Sequence, residues 1–363
     1  PARGSLRPIR REGNNRMVVI TAFLIGLALL AALCGAIFLL ALNALTDDEN
    51  ADTAPGATDQ VALQTTANNT RGPNPNPSTD TPSTGGVAQP ASPVNPDSAG
   101  REFAYAAPGA SDSFDIFVRS TTDNSARAIT NTPLNEVGPA FSPEGSQIAY
   151  YAYRGDGPGD IWLMNADGSS ARNLTNSPGS DERVVSWSPD GQQLAYHSNA
   201  DGDYDIYLYT LATNQTRNLT DSEWDDLAPS WSPDGARIAF HSDQIRGFNE
   251  IFVIDITGED RAQVTDGNWQ AAFAAWDPNG TRLAFHSILN NRYTLHLIRP
   301  NGEGFRNIAL STQNNSHAAW SSDGDAIIYT QNFPASPVIY WHDLQSNTTR
   351  RLVDGGIFPD WRP

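Results

Sequence analysis

The segment Trp-Ser-Pro-Asp-Gly occurs at 187–191 and again at 231–235. Variants stand at 141–145 (FSPEG), 276–280 (WDPNG) and 320–324 (WSSDG). The leading aromatics follow one another at about 44 to 46 residues, and a slightly shorter last step reaches Trp361. Each interval holds short runs of β-branched and aromatic residues separated by turn formers. A period in the forties built from β-type segments is the signature of a β-propeller, each repeat being one four-stranded blade. A residue that recurs at one place in every repeat is therefore first a structural residue.

The unit around Trp231 reads strand by strand. Residues 229–232 form a short inner strand, and Pro233-Asp234-Gly235 a tight turn, Pro presetting φ and Gly allowing φ > 0. Strands then follow at 237–241, 250–255 and 262–265. The second-strand motif recurs six times, from Phe103-Ala104-Tyr105 to Ile327-Ile328-Tyr329. The register at the two ends predicts closure. The repeats open on a second strand at 102–106, and an inner strand at 358–362 comes last. That strand can complete the first blade, giving an all-β ring of six blades with no open edge.

The linked motifs are aromatic-Ser-Pro-Asp-Gly, then Ile/Leu-Ala-Phe/Tyr, then Asp-Ile-Tyr, then Asn-Leu-Thr, as at 187–191, 194–196, 205–207 and 218–220. In this order they resemble the TolB-type, WD-like propeller repeat over residues 101–363. The resemblance implies a six-bladed ring and a bacterial envelope setting. The TolB α/β domain has no counterpart here; an apolar segment and a tether stand in its place. Similar propellers precede the hydrolase domain of prolyl-oligopeptidase-like peptidases, but the sequence contains no Gly-x-Ser-x-Gly elbow.

Residues 17–45 carry no charge and are long enough for one transmembrane helix. Arg3, Arg7, Arg10, Arg11 and Arg16 precede them, and Asp47, Asp48, Glu49 and Asp52 follow. The positive-inside bias makes 1–16 a cytoplasmic tail and puts the rest outside the cytoplasm. A cleaved signal would have a shorter apolar region. A lipoprotein reading at Cys34 fails because Leu33 stands where a small residue belongs. Residues 46–100 are Thr-, Pro- and Asn-rich and read as a disordered linker. The expected localisation is a single-pass membrane protein with an extracytoplasmic propeller.

The net charge is −18 and every basic side chain is Arg. An acidic surface argues against nucleic acid as a partner. The loops entering the inner strands should lie near one mouth of the central channel. Their equivalent pairs are Asn135-Glu136, Asp181-Glu182, Asp225-Asp226, Gln270-Ala271, Asn314-Asn315 and Gly355-Gly356, so one side of the ring is acidic. Trp224 and Trp269 sit one residue earlier in neighbouring blades. A Trp on a polar loop serves as a peptide hot spot or a stacking face for a sugar, or packs over the blade rim. The candidate binding set is Glu136, Asp181, Glu182, Trp224, Asp225, Asp226, Trp269 and His317. No cofactor or metal is expected. His197, His241 and His286 occupy one repeat position, which favours consensus over zinc ligation. The run Asp201-Gly202-Asp203-Tyr204-Asp205 resembles the start of a calcium loop, but Asp205 is also the repeat's regular acid. The expected function is non-catalytic binding of, or scaffolding for, a protein, peptide or glycan. The alternatives are an envelope hydrolase using paired acids and a spacer without a ligand.

Overall fold

The Ser-Pro-Asp-Gly turn sets where each blade begins. Ser188 Oγ donates to Asp190 Oδ1 (2.6 Å) and accepts from Gln193 N (2.9 Å), folding the chain back as an antiparallel hairpin. Gly191 and Gly235 hold φ near +67° and +72°, where a Cβ is strained. A side chain at 235 would also meet the Pro189 ring of the preceding blade at 3.2 Å, so successive turns stack.

The computed structural model describes residues 101–363 apart from 112, 123–124, 246, 268–269, 290–291, 309–314 and 333–334. The expected tail, spanning helix and linker lie outside the described residues, as does Trp269. Among the described residues no helix is long and apolar enough to cross a membrane. The strands form six four-stranded antiparallel sheets. Blades 2 to 6 begin with inner strands Asn135–Phe141, Glu182–Trp187, Asp226–Trp231, Ala271–Trp276 and Asn315–Trp320. In blade 1 the inner strand is C-terminal: Ile357–Trp361 pairs with Glu102–Pro108, Phe103 opposite Trp361 and Ala106 opposite Ile357. The ring thus closes as expected, with six blades.

The inner strands begin earlier than the sequence reading placed them. Asp226 already pairs with Ser242 of the second strand. The acids at this position therefore belong to the sheet and not to a loop. The fourth strand of blade 4 is Arg261–Gln263. Thr265 lies beyond it, and its Oγ1 accepts from Ile251 N at 2.8 Å.

Apolar cores form between blades. Ala195, Ile206 and Leu208 of blade 3 pack against Trp231, Ile238 and Phe252 of blade 4. The motif aromatic is wedged into this seam. Trp187 Nε1 donates to Ala140 O (2.9 Å) and Trp320 Nε1 to Ala275 O (3.0 Å), each reaching the preceding blade. The Asp-Ile-Tyr and Asn-Leu-Thr motifs form a second clamp. Asp205 accepts from Asn218 Nδ2 (2.9 Å), Thr220 Oγ1 (2.8 Å) and Ser222 N (3.0 Å), tying the third strand to the fourth.

Candidate functional site

The six inner strands surround a central cavity of about 340 Å³. Each contributes three successive residues to its wall. One layer is Gly138, Val184, Ala228, Phe273, His317 and Phe358. The next is Pro139, Val185, Pro229, Ala274, Ala318 and Pro359. The layer beside the Ser-Pro-Asp-Gly turns is Ala140, Ser186, Ser230, Ala275, Ala319 and Asp360.

The first layer is a ring of β-bulges. All six of its residues have φ between +48° and +62°, and only Gly138 is glycine. At each, the pairing of inner and second strand shifts register. A bulge bends a strand and re-aims a side chain. Left-handed non-glycine residues cost on the order of 1–3 kcal/mol each and persist only where the surroundings over-determine them. Here the three large rings converge: His317 lies 4.4 Å from Phe273 and 3.9 Å from Phe358, centroid to centroid. The opposite half of the layer carries only Gly138, Val184 and Ala228.

The repeated histidines fix this layer. His197 Nδ1 accepts from Ala228 N and His241 Nδ1 from Phe273 N, both at 3.4 Å. Each histidine thus holds the bulge amide of the next blade. An accepting Nδ1 requires a neutral ring. Burial supplies that, holding His197, His241 and His286 down at about 3 and His317 well below its usual value. The repeat reading has a physical basis in His197 and His241, which are brackets between blades.

The acids of the candidate set divide into two groups. Glu136, Glu182 and Asp226 are buried, at 2%, 2% and 0% exposure. Glu136 accepts from Thr132 Oγ1 (2.6 Å), and Glu182 from Ser180 Oγ and Ser198 Oγ. Asp226 takes both terminal nitrogens of Arg261 (3.1 and 3.0 Å), whose guanidinium lies 4.8 Å from the Phe240 and Phe252 ring centres. These three brace their own blades from within, whereas the sequence reading placed them on loops at the mouth.

Asp181, Trp224 and Asp225 are half-buried. Asp181 accepts from Gly159 N (2.7 Å) and Arg183 Nε (2.8 Å) through Oδ1, and from Tyr204 OH (2.7 Å) through Oδ2. Burial pushes its carboxyl up, but these donors and the Arg183 charge outweigh that and hold it below the usual range. Asp225 Oδ1 accepts from Tyr204 N at 3.2 Å. Asn135 accepts from Phe114 N in the same way, so in blades 2, 3 and 4 this position links the blade to the third-strand edge of the one before. Asp225 and Asp226 are neighbours in sequence but serve different partners. His317 stands in the bulge layer, apart from these acids in the fold's own ordering of positions.

Asp360 was missed in the sequence. It is the only carboxylate in the cavity wall. Its Oδ2 accepts from Phe141 N at 2.8 Å, joining blades 1 and 2 as Ser186 Oγ joins blades 3 and 4 through Trp231 N (3.1 Å). Burial pushes its carboxyl up to about 7. The signal was an aspartate where the other repeats carry Ala or Ser.

Two further arrangements test for chemistry. Asp201, Asp205 and Asp221 bring carboxylate oxygens within 4.8 Å of one another. Calcium takes six to eight oxygens, and those of Asp205 already serve Asn218, Thr220 and Ser222. Ser287 Oγ lies 2.8 Å from His296 Nε2, but the pair is buried at 1% and 4% exposure, with Phe285 and Phe305 against the imidazole. No substrate carbonyl reaches a hydroxyl so placed.

The family described as the TolB beta propeller domain matches residues 90–202, 183–265 and 227–361. Among solved structures, TolB from Acinetobacter baumannii aligns with a TM-score of 0.63 at 18% identity, over 72% of this chain and 67% of that one. A chain of a nidogen/laminin complex aligns at 0.58 and 12%, over 73% and 99%. Hydrazine synthase from Kuenenia stuttgartiensis aligns at 0.56 and 13%, over 72% and 46%. At such identities these likenesses are of fold alone. No curated protein sequence matches the chain. With its repeats matched from 90 to 361 and closed as six blades, the chain belongs to the TolB-type β-propeller family.

Proposed function

We propose that this chain is a non-catalytic binding and scaffold module whose ligand is a peptide segment of a partner protein, received in the central cavity. The observation that carries the reading is the wall of that cavity. Six inner strands present Gly, Pro, Ala, Val and Phe with Ser186, Ser230 and His317, and Asp360 is the one carboxylate among the described residues of the wall. A mostly apolar cavity with a few fixed polar groups and one carboxyl suits a short segment carrying one cationic or donor group. About 340 Å³ holds a few side chains and no folded domain. Membership of the TolB-type family supports a protein partner.

The apolar run at 17–45 and the linker at 46–100 complete the proposal. The run anchors the chain in a membrane with residues 1–16 in the cytoplasm, and the linker gives the propeller reach. Trp224 and Asp225 are the groups a bound partner would meet at the far mouth, with Trp269 beside them in sequence register.

The test is affinity capture from envelope extract by the purified chain, beside Asp360→Ala and a Trp224→Ala/Trp269→Ala double variant. A partner retained by wild type and lost with Asp360→Ala supports the cavity. Loss only with the double tryptophan variant moves the site to the opposite mouth. Capture unchanged by both variants refutes binding through the channel.

A further inference from the structure

The acid that opens the third strand has a fixed set of donors. In blade 2, Asp160 takes Asn173 Nδ2 (2.8 Å), Thr175 Oγ1 (3.4 Å) and Ser177 N (2.8 Å), at 13, 15 and 17 residues downstream. In blade 3, Asp205 takes Asn218, Thr220 and Ser222 at the same separations. In blade 1 the acid is Asp115, and Thr130 and Thr132 keep the later positions. The asparagine position is Ala128.

That one substitution leaves a mark in the structure. Asp115 is 2% exposed, and its Oδ1 has no hydrogen-bond partner. A cleft of about 520 Å³ opens at the position that Asn173 and Asn218 hold in blades 2 and 3, with Asp115, Ala128 and Thr130 in its wall. Pro108, Phe117 and Ile129 supply an apolar lining. Gly109 lies so close to Asp115 that any side chain there would collide with the carboxylate. The carboxyl of Glu136, from blade 2, stands beside Asp115, and its Oε2 is also without a partner. Two buried acids thus face each other with donors missing. Leaving such groups buried and unpaired is costly, more so when they are charged.

We infer that this blade 1 cleft binds a primary ammonium group on an aliphatic stem. Its N–H donors and positive charge answer the orphan Oδ1 of Asp115 in the cleft wall by a charge-assisted hydrogen bond, with the Glu136 carboxyl behind it adding negative charge. The methylenes lie along Pro108, Phe117 and Ile129, as long cationic side chains lie along apolar surface elsewhere. The chain contains no lysine, so no side chain of its own provides this group. Burial raises both carboxyls, which is the state a bound cation would reverse. The site lies on the flank of one blade and is independent of the channel reading.

The experiment is calorimetric titration of the full chain at pH 7.5 with n-butylammonium and, separately, with an acetylated and amidated Gly-Lys-Gly peptide. n-Butanol is the neutral control. Binding of either amine with butanol inactive is the expected result. The peptide binding tighter assigns a partner's lysine; the free amine binding tighter assigns a small amine. Ala128→Asn restores the repeat's own carboxamide and keeps the fold, so it should weaken the amine at least tenfold. Asp115→Asn should do the same. Equal affinity in wild type and Ala128→Asn, equal binding of butanol, or heat with calcium chloride but not with either amine would overturn the inference.

Discussion

Replacing Asp226 separates a bracket from a binding group. Asp226 has no exposed surface and holds Arg261 through two hydrogen bonds of 3.1 and 3.0 Å. Arg261 lies against Phe240 and Phe252. Asp226→Ala leaves that guanidinium in the seam without its counter-charge. Breaking one partner of a buried pair costs about 3–5 kcal/mol. A domain of this size shifts about 2 °C per kcal/mol, so Tm should fall by about 6–10 °C. Asp225→Ala removes one acceptor from a half-buried site, the bond from Tyr204 N, and should cost about 1 kcal/mol. Asp226→Leu/Arg261→Met replaces the pair with apolar groups and should recover most of the loss, since such replacements are often neutral. Urea denaturation followed by tryptophan fluorescence reads all three. An Asp226→Ala cost no greater than that of Asp225→Ala would refute the reasoning and return Asp226 to the mouth.

Other consequences follow from the same brackets. His241→Ala orphans Phe273 N and should destabilise by about 1–3 kcal/mol in the same denaturation assay. His197, His241 and His286 bind protons in the unfolded chain below about 6.5 and in the folded ring only near 3, so stability should fall as pH drops through that window, each group adding up to about 1.4 kcal/mol per pH unit. Asp360 acts with the opposite sign: its folded value near 7 exceeds the unfolded 3.8, so it gains stability as pH falls between them. Asp360→Asn should therefore steepen the acid-side loss in Tm measured from pH 7 to pH 4. Trp361→Ala empties the closing strand's contact with Phe103 and should cost about 3–5 kcal/mol, read as a lower denaturation midpoint.

The blades and their closure were legible because each is encoded locally. A Ser-Pro-Asp-Gly turn needs four consecutive residues, and a period needs only counting. The acids were less legible. Asp226 meets Arg261 at a separation of 35 residues, from the first and fourth strands of one blade, and the order and twist of that sheet decide the meeting. Spacing alone placed Glu136, Glu182 and Asp226 on a loop, whereas the inner strand begins early enough to bury them. His317 looked like one more polar loop residue until the bulge turned its ring toward Phe273 and Phe358. Trp269 lies outside the described residues.

In a repeat protein the consensus carries the fold, so what is particular to one chain sits where a repeat departs from it. Asp360 replaces the Ala or Ser of five other blades and places a carboxylate in the channel. Ala128 replaces an asparagine and leaves Asp115 Oδ1 without a donor. Asp360 still ties blades 1 and 2 through Phe141 N, a bond that a serine serves between blades 3 and 4 without burying a carboxyl. The orphan oxygen of Asp115 is a cost that selection for stability alone would remove, most simply by restoring the asparagine the next blade already uses. That these departures lie on cavities, while the brackets at His197, His241 and Asp226 lie in closed seams, is the physical reason to seek ligands at Asp360 and Asp115 first.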